Sequence, residues 1–102
     1  MKVKNTLDEE YYDLALFFRL FSDETRLKII YALAKSELCV KDLTEIVGKS
    51  SSVISHQLVS LKQQRVVKQR RIGKYMYYSL VDDHVYSIIK VAEEHRAEEK
   101  EV

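Results

Sequence analysis

The 102-residue chain contains no proline and only two glycines, Gly48 and Gly73, so the residues that favour tight turns are confined to two places. Apolar residues recur at helical spacing on both sides of Gly48, whereas the residues that flank Gly73 are rich in β-branched and aromatic types. We therefore expect a mostly α-helical domain with a helix-turn-helix at Gly48 and a two-stranded β-hairpin around Gly73. Residues 1–102 are about one domain in length, so a site built from two lobes needs a second copy of the chain.

Capping residues and apolar spacing set the predicted element boundaries. Ser22 or Asp23 is expected to cap the second helix, and Ser50 or Ser51 the second helix of the helix-turn-helix. The segment 40–47 is too short to be stable as an isolated helix. The predicted elements are helix 7–21, a second helix ending near 35, an extended segment at 38–39, the segment 40–47, a helix ending near 64, strands 66–71 and 75–80, and a last helix 82–99 with Val85, Ile88, Ile89 and Ala92 on its apolar face.

The first predicted helix is apolar over most of its circumference. Leu7, Leu14 and Phe18 form one stripe at helical spacing, but Leu16 and Leu20 are apolar as well. The last helix also carries more apolar surface than a core of this size can cover. We therefore expect a homodimer joined through the first and last helices.

Charge is unevenly distributed along the chain. Residues 1–45 carry a net charge of −2, residues 46–81 carry +7, and residues 82–102 carry −4, which together give +1. The central block contains seven Lys or Arg residues and no Asp or Glu. Such a block favours contact with a polyanion, although a solvated basic face is the alternative.

A helix-turn-helix places the start of its second helix at the base edges of the major groove, and a basic hairpin beside it reaches the flanking phosphates. Short polar side chains suit the first position and Lys or Arg the second. We predict base contacts from Ser51, Ser52, Ser55, His56 and Gln57, and phosphate contacts from Lys49, Lys62, Arg70, Arg71 and Lys74. Alternatively, each basic side chain serves only solubility, and His56 serves only the fold.

Other classes of protein are excluded by the same sequence. No apolar run approaches the roughly 20 residues that a bilayer span requires, and the charged start MKVKNTLDEE lacks a signal-peptide core, so we expect a cytoplasmic protein with no membrane partner. The single cysteine, Cys39, excludes an intrachain disulfide and an all-cysteine metal cage within one chain.

The run SSSVISHQLVSLKQQRVVKQRRIGKYMYYSL resembles the recognition helix and wing of the ArsR/SmtB metal-sensing repressors. The segment FRLFSDETRLKIIYAL is similar to the second-helix signature of that family, and the resemblance extends from about Tyr12 to Glu98. It implies a dimeric winged helix-turn-helix repressor that binds double-stranded operator DNA and is released when a metal ion binds.

The first metal site of that family is a thiolate site in an E-L-C-V-C-D-L box. This chain reads ELCVKDL, so Lys41 replaces the second cysteine. A lone thiol cannot form the multi-thiolate cage that soft ions favour, and we expect Cys39 to be a small buried apolar residue.

The second family site lies on the last helix, as Asp-x-His, a His eleven positions later, and a His or Glu three after that. The resemblance implies that Asp82, His84, His95 and Glu98 are the ligands. Eleven helical residues span about 16 Å, so one chain cannot bring both histidines to one ion, whereas antiparallel pairing of two last helices can. Two imidazoles and two carboxylates suit Zn(II) as the allosteric effector, and Co(II) fits the same ligands. Two alternatives remain: Asp82 only caps the helix, or Asp83 caps it and leaves Asp82 for the metal.

The sequence favours a metal-responsive repressor over three competing functions. A related winged-helix repressor that does not sense metal is the main alternative. A metal-dependent hydrolase is disfavoured because four protein ligands leave no open coordination position. A protein-interaction module that binds no DNA is disfavoured by the basic block.

Overall fold

The computed structural model describes the backbone of residues 2–101 and the side chains of residues 7–98. Five helices and three strands follow one another, with a short 3-10 turn between the first two helices. They are α1 (Lys2–Phe18), the 3-10 turn (Arg19–Ser22), α2 (Glu24–Lys35), β1 (Leu38–Cys39), α3 (Val40–Val47), α4 (Ser51–Gln63), β2 (Val67–Ile72), β3 (Tyr75–Leu80) and α5 (His84–Glu101). The predicted fold class, mostly helical with a β-hairpin after a helix-turn-helix, is confirmed.

The helix-turn-helix has the predicted turn and cap. Gly48 adopts a left-handed backbone with φ of 76°, and its N–H donates to the Thr44 carbonyl at 2.9 Å, which ends α3. The Ser50 hydroxyl accepts a hydrogen bond from the Val53 N–H at 3.3 Å and begins α4. Although α3 is only eight residues long, it is stable here because Leu43 and Val47 are buried in the core.

The apolar core lies between α2, the helix-turn-helix, the base of the hairpin and the start of α5. Its fully buried side chains come from three helices and the segment before α2, which fixes α4 against the rest of the molecule. They are Leu20, Ile29, Ile30, Leu43, Ile54, Leu58 and Leu61.

The hairpin belongs to a three-stranded antiparallel sheet with the order β1, β3, β2. Tyr77 of β3 pairs with Arg70 on β2 and with Cys39 on β1, so the short extended segment predicted at 38–39 is the third strand. Gly73 has φ of 63° at the hairpin tip, as predicted. A further left-handed residue, Arg65 with φ of 60°, turns the chain from α4 into β2, a turn that the glycine positions did not predict.

The two terminal helices differ from the prediction. Helix α1 begins at Lys2 and gives way to the 3-10 turn after Phe18, whereas the predicted helix ran from 7 to 21. On α5, Val85 and Ile89 are buried, but Ile88 and Ala92 are exposed, so only half of the predicted apolar face enters this chain's core. Within residues 2–101, no helix is long and apolar enough to cross a bilayer.

Candidate nucleic-acid interface and metal ligands

The first turns of α4 expose a polar surface because the helix buries only one side. Ile54 and Leu58 have 0% and 1% of their surface exposed, while Ser51, Ser52, Ser55 and His56 are all exposed. These four side chains are therefore accessible at the start of the helix, where base reading was predicted. The structure brings them together on one outer face.

Gln57 differs from its neighbours because it is half-buried and bound to another helix. Its Nε2 donates to Asp23 Oδ2 at 3.2 Å, which links α4 to the start of α2. Asp23 Oδ1 also accepts the Arg26 N–H at 3.2 Å and so caps α2. Sequence patterns revealed Asp23 as a cap, but they did not reveal its contact with Gln57, which joins residues 34 positions apart.

The environment of Asp23 stabilises its charged form. Desolvation by burial raises the pKa of Asp23, but backbone hydrogen bonds from Arg26 and Thr25 outweigh it, with help from the Arg26 charge and the Gln57 amide. The net effect is a pKa below the ordinary value. Arg26 Nη2 lies 3.7 Å from Asp23 Oδ2, so the carboxylate connects a cation, a helix start and α4.

The predicted phosphate-contacting residues are all exposed, but they occupy different surroundings. Lys49 precedes α4 and Lys62 lies in its last turn, so both flank the polar face. Lys74 lies at the hairpin tip, where its Nζ is 5.6 Å from the centroid of the Tyr75 ring. Arg71 on β2 is exposed as well.

Arg70 is bound to a carboxylate. Its Nε and Nη2 donate to the two carboxylate oxygens of Glu37 at 2.8 and 2.7 Å, which is a bidentate pair. The hydrogen bond from Arg70 lowers the pKa of Glu37 against a smaller opposing desolvation, and the same bond raises the pKa of Arg70. Glu37 was not among the predicted functional residues, since nothing in its local sequence indicates a partner 33 positions away.

Asp82 and His84 meet at the start of α5. Asp82 Oδ1 accepts the His84 backbone N–H at 2.9 Å, and Asp82 Oδ2 lies 3.3 Å from His84 Nδ1. Both side chains are exposed. The carboxylate at the helix start is therefore that of Asp82. Asp83 directly precedes α5, and its backbone carbonyl accepts the Ser87 N–H at 2.9 Å.

The other two predicted metal ligands lie near the far end of α5. His95 and Glu98 are exposed, eleven and fourteen residues beyond His84, which corresponds to about 16 and 21 Å of helix. Across residues 7–98, no three His, Cys, Asp or Glu side chains of one chain come together in a group that could hold a metal. The contacts described within residues 7–98 thus join Asp82 to His84.

The cysteine at the start of α3 is buried, as predicted. Cys39 has 7% of its surface exposed, and its Sγ donates to Asp42 Oδ2 at 3.2 Å. The same carboxylate oxygen accepts the Cys39 N–H at 3.2 Å. The thiol therefore takes part in the local structure at the start of α3, while Lys41 is exposed.

Comparison with known proteins places this architecture in a family. Residues 23–69, from the cap of α2 into β2, match the family model described as bacterial regulatory protein, arsR family. The chain is 42% identical over 90 residues to a transcriptional repressor SmtB homolog of Synechocystis sp., covering 88% of this chain and 68% of that protein. It is 40% identical over 96 residues to a cadmium resistance transcriptional regulatory protein CadC homolog of Staphylococcus aureus, covering 93% and 79%.

The structural comparison agrees with the sequence comparison. The crystal structure of NolR from Sinorhizobium fredii superposes with a TM-score of 0.81 at 34% identity, covering 87% of this chain and 89% of that one. The match extends well beyond residues 23–69 and includes the winged helix-turn-helix. The predicted family resemblance is confirmed, and the hydrolase alternative is rejected. The chain belongs to the arsR family of bacterial regulatory proteins, which are DNA-binding transcriptional regulators and not enzymes.

Proposed function

We propose that this chain is a metal-responsive transcriptional repressor that binds a palindromic operator as a homodimer in the cytoplasm and is released when Zn(II) or a similar divalent ion binds. The observation that carries the proposal is the pairing of Asp82 with His84, 3.3 Å apart and exposed at one end of α5, with His95 and Glu98 exposed at the other end. Relatives whose names describe cadmium resistance regulation support a metal effector.

The DNA contacts follow from the two exposed surfaces. The serines and His56 at the start of α4 read base edges, whereas Lys49, Lys62, Lys74 and Arg71 supply positive charge to phosphates. Since the two recognition helices of a symmetric dimer are related by a two-fold axis, the operator is an imperfect palindrome with half-sites about one helical turn apart.

Dimerisation is supported by apolar surface that this chain leaves uncovered. On α1, Leu7, Tyr11 and Phe18 are between 48% and 63% exposed, and on α5 Ile88 and Val91 are 36% and 64% exposed. A second copy that covers these faces removes them from water. Metal is not needed for this association, because the apolar faces of α1 and α5 are exposed without a bound ion.

The ligand set requires the same dimer. If α5 pairs antiparallel with its symmetry mate, Asp82 and His84 of one copy meet His95 and Glu98 of the other, which makes two equivalent sites. The nitrogen and oxygen donors suit Zn(II), which would supply cross-links between the two α5 helices when bound.

The switch needs a difference in metal affinity between the free and the operator-bound dimer. By reciprocity, operator DNA weakens metal binding by the same factor by which metal weakens operator binding. A coupling of about 1–3 kcal/mol per site is typical, so two sites together shift operator affinity by about thirtyfold or more.

The test compares His95→Ala with Arg96→Ala, a matched control at the adjacent exposed position of α5. Operator binding is measured by fluorescence anisotropy across a zinc titration. We expect His95→Ala to bind operator normally without metal and to lose the zinc response, while Arg96→Ala responds as the parent does. Release of the His95→Ala variant at the parent's zinc concentration would show that the α5 site is not the sensor.

A second function within the same family is favoured by one observation. Asp82 Oδ1 already accepts the His84 N–H, the first N–H of α5, which is sufficient reason for an aspartate at this position. In that case the chain is a repressor that does not sense metal, and the parent's operator affinity stays constant throughout the zinc titration.

A further inference from the structure

We propose that Arg70 is a positioning residue that holds the wing through Glu37, and that Arg71, its neighbour on β2, is the wing arginine that contacts DNA phosphate. This inference rests on the proposed DNA binding by the wing. Arg70 and Arg71, which were both predicted to contact phosphate, then have different roles.

The strand register places the two arginines on opposite faces of the sheet. Side chains alternate along a strand, so Lys68 and Arg70 share one face, while Gln69 and Arg71 share the other. Val67, on the same face as Gln69, is buried in the core, and Gln69 lines a groove together with Leu58 and Val59 of α4. Arg71 is therefore on the face of the sheet that meets the recognition helix, and Arg70 is on the opposite face.

On that opposite face Arg70 contacts Glu37. Glu37 immediately precedes β1, and β1 pairs with β3, the strand between it and Arg70. The Arg70 guanidinium reaches across β3 and donates two hydrogen bonds, of 2.8 and 2.7 Å, to the two carboxylate oxygens of Glu37. The Glu37 side chain is 27% exposed and the Arg70 side chain is 67% exposed, so the carboxylate is the more fixed partner.

Electrostatics argue against Arg70 as a phosphate contact. Its charge is already balanced by Glu37, so moving it to a phosphate breaks two charge-assisted hydrogen bonds and leaves the carboxylate near the DNA. Lys68 adds a second positive charge that acts on Glu37. Arg71 is exposed, and no ion pair or hydrogen bond of its side chain is among the described contacts, so phosphate binding there displaces only counterions.

The Glu37–Arg70 pair acts on DNA binding through geometry. Glu37 lies at the start of the segment that leads through β1 into α3, and Arg70 lies in the middle of β2. The pair therefore ties the wing to the beginning of the helix-turn-helix and fixes the direction of Arg71 relative to α4. Loss of the pair loosens the wing without removing a phosphate contact.

The test measures the dependence of operator affinity on salt for Arg70→Ala, Arg71→Ala and the parent, with thermal melts to confirm folding. Each phosphate contact contributes about 0.9 to the slope of log affinity against log salt. Because a homodimer carries two copies of Arg71, we expect Arg71→Ala to reduce the slope by about twice that amount. We expect Arg70→Ala to lose affinity several-fold with an unchanged slope. Equal reductions in slope for the two variants would overturn the inference.

Three further variants test whether Glu37 positions Arg70 or only masks its charge. Glu37→Gln frees Arg70, so we expect weaker operator binding if the pair positions the wing. Stronger binding with a steeper salt slope would mean that Glu37 only masks a phosphate contact, and would also overturn the inference. The charge swap Glu37→Arg with Arg70→Glu is expected to restore most of the affinity lost by Arg70→Glu alone. Failure of the parent to bind DNA would refute the proposed function itself, an outcome distinct from these.

Discussion

The contact between Asp23 and Gln57 links the recognition helix to α2, and its removal has a calculable cost. Asp23→Ala loses the cap of α2, which is worth about 1 kcal/mol, and an amide hydrogen bond from Gln57 worth about another 1 kcal/mol. It also removes the carboxylate beside Arg26, whose Nε is buried without a partner among the described residues. We expect the free energy of unfolding to fall by about 2–3 kcal/mol.

The matched variant is Gln57→Ala, which loses the interhelical hydrogen bond but keeps the cap. It should cost about 1 kcal/mol, and the double variant should cost less than the sum because both single variants remove the same bond. Urea unfolding followed by circular dichroism gives these values, at one fixed protein concentration because a dimer's stability depends on concentration. Strict additivity in this cycle would refute an energetic link between the two helices.

The lowered pKa of Asp23 determines how its contribution to the stability of the fold depends on pH. Because folding lowers the pKa of Asp23 from its reference value of 3.8, its contribution is complete above that value and is lost as the pH falls through the folded-state pKa. Asp23→Asn keeps a capping oxygen but cannot titrate. We expect the stability difference between parent and Asp23→Asn to shrink below about pH 4. A difference that stays constant from pH 7 to pH 2.5 would contradict this reasoning.

Three other predictions use separate features of the fold. Gly48→Ala should destabilise the protein by about 1 kcal/mol in urea unfolding, since φ of 76° strains an alanine although no atom lies within 4 Å of the added Cβ. Arg65→Gly should raise the thermal midpoint slightly, because relief of the left-handed backbone at φ of 60°, about 1–2 kcal/mol, exceeds the entropic cost of glycine, about 0.5–1 kcal/mol; a clearly lower midpoint would contradict this. Ile88→Glu should convert the dimer to monomer in sedimentation at micromolar concentration, whereas Lys90→Glu, at an exposed polar position of the same helix, should not.

The parts of the fold that sequence patterns predicted are those set by local chemistry. Asp23 and Ser50 cap their helices because short polar side chains accept N–H groups two or three residues on, which depends on neighbours in sequence only. Gly48 and Gly73 turn the chain for an equally local reason. The turn at Arg65 was missed because a residue with a side chain carries no sign of a left-handed backbone in its sequence.

The parts that were missed depend on residues far apart in the chain. The membership of Leu38 and Cys39 in the sheet depends on β3, nearly 40 positions later. The end of α1 and the exposure of Ile88 depend on what each helix packs against, and spacing alone does not specify that. For the candidate site, the family pattern supplied the four α5 ligand candidates, but the engagement of Gln57 with Asp23 and of Arg70 with Glu37 required the folded chain.

The two-residue strand β1 joins the two ends of the segment that contains the helix-turn-helix and the wing. From β1 the chain runs through α3, α4, β2 and β3 and returns to its starting point through the β1–β3 hydrogen bonds. The recognition helix α4 lies within this segment, so its position relative to the wing is fixed, and the two move together as one unit. If the proposed metal site on α5 is the sensor, metal binding has to turn or shift the whole unit, and it alters the separation and angle between the two units of the proposed dimer. We expect such a dimer to discriminate operators by the spacing of their half-sites as well as by their bases.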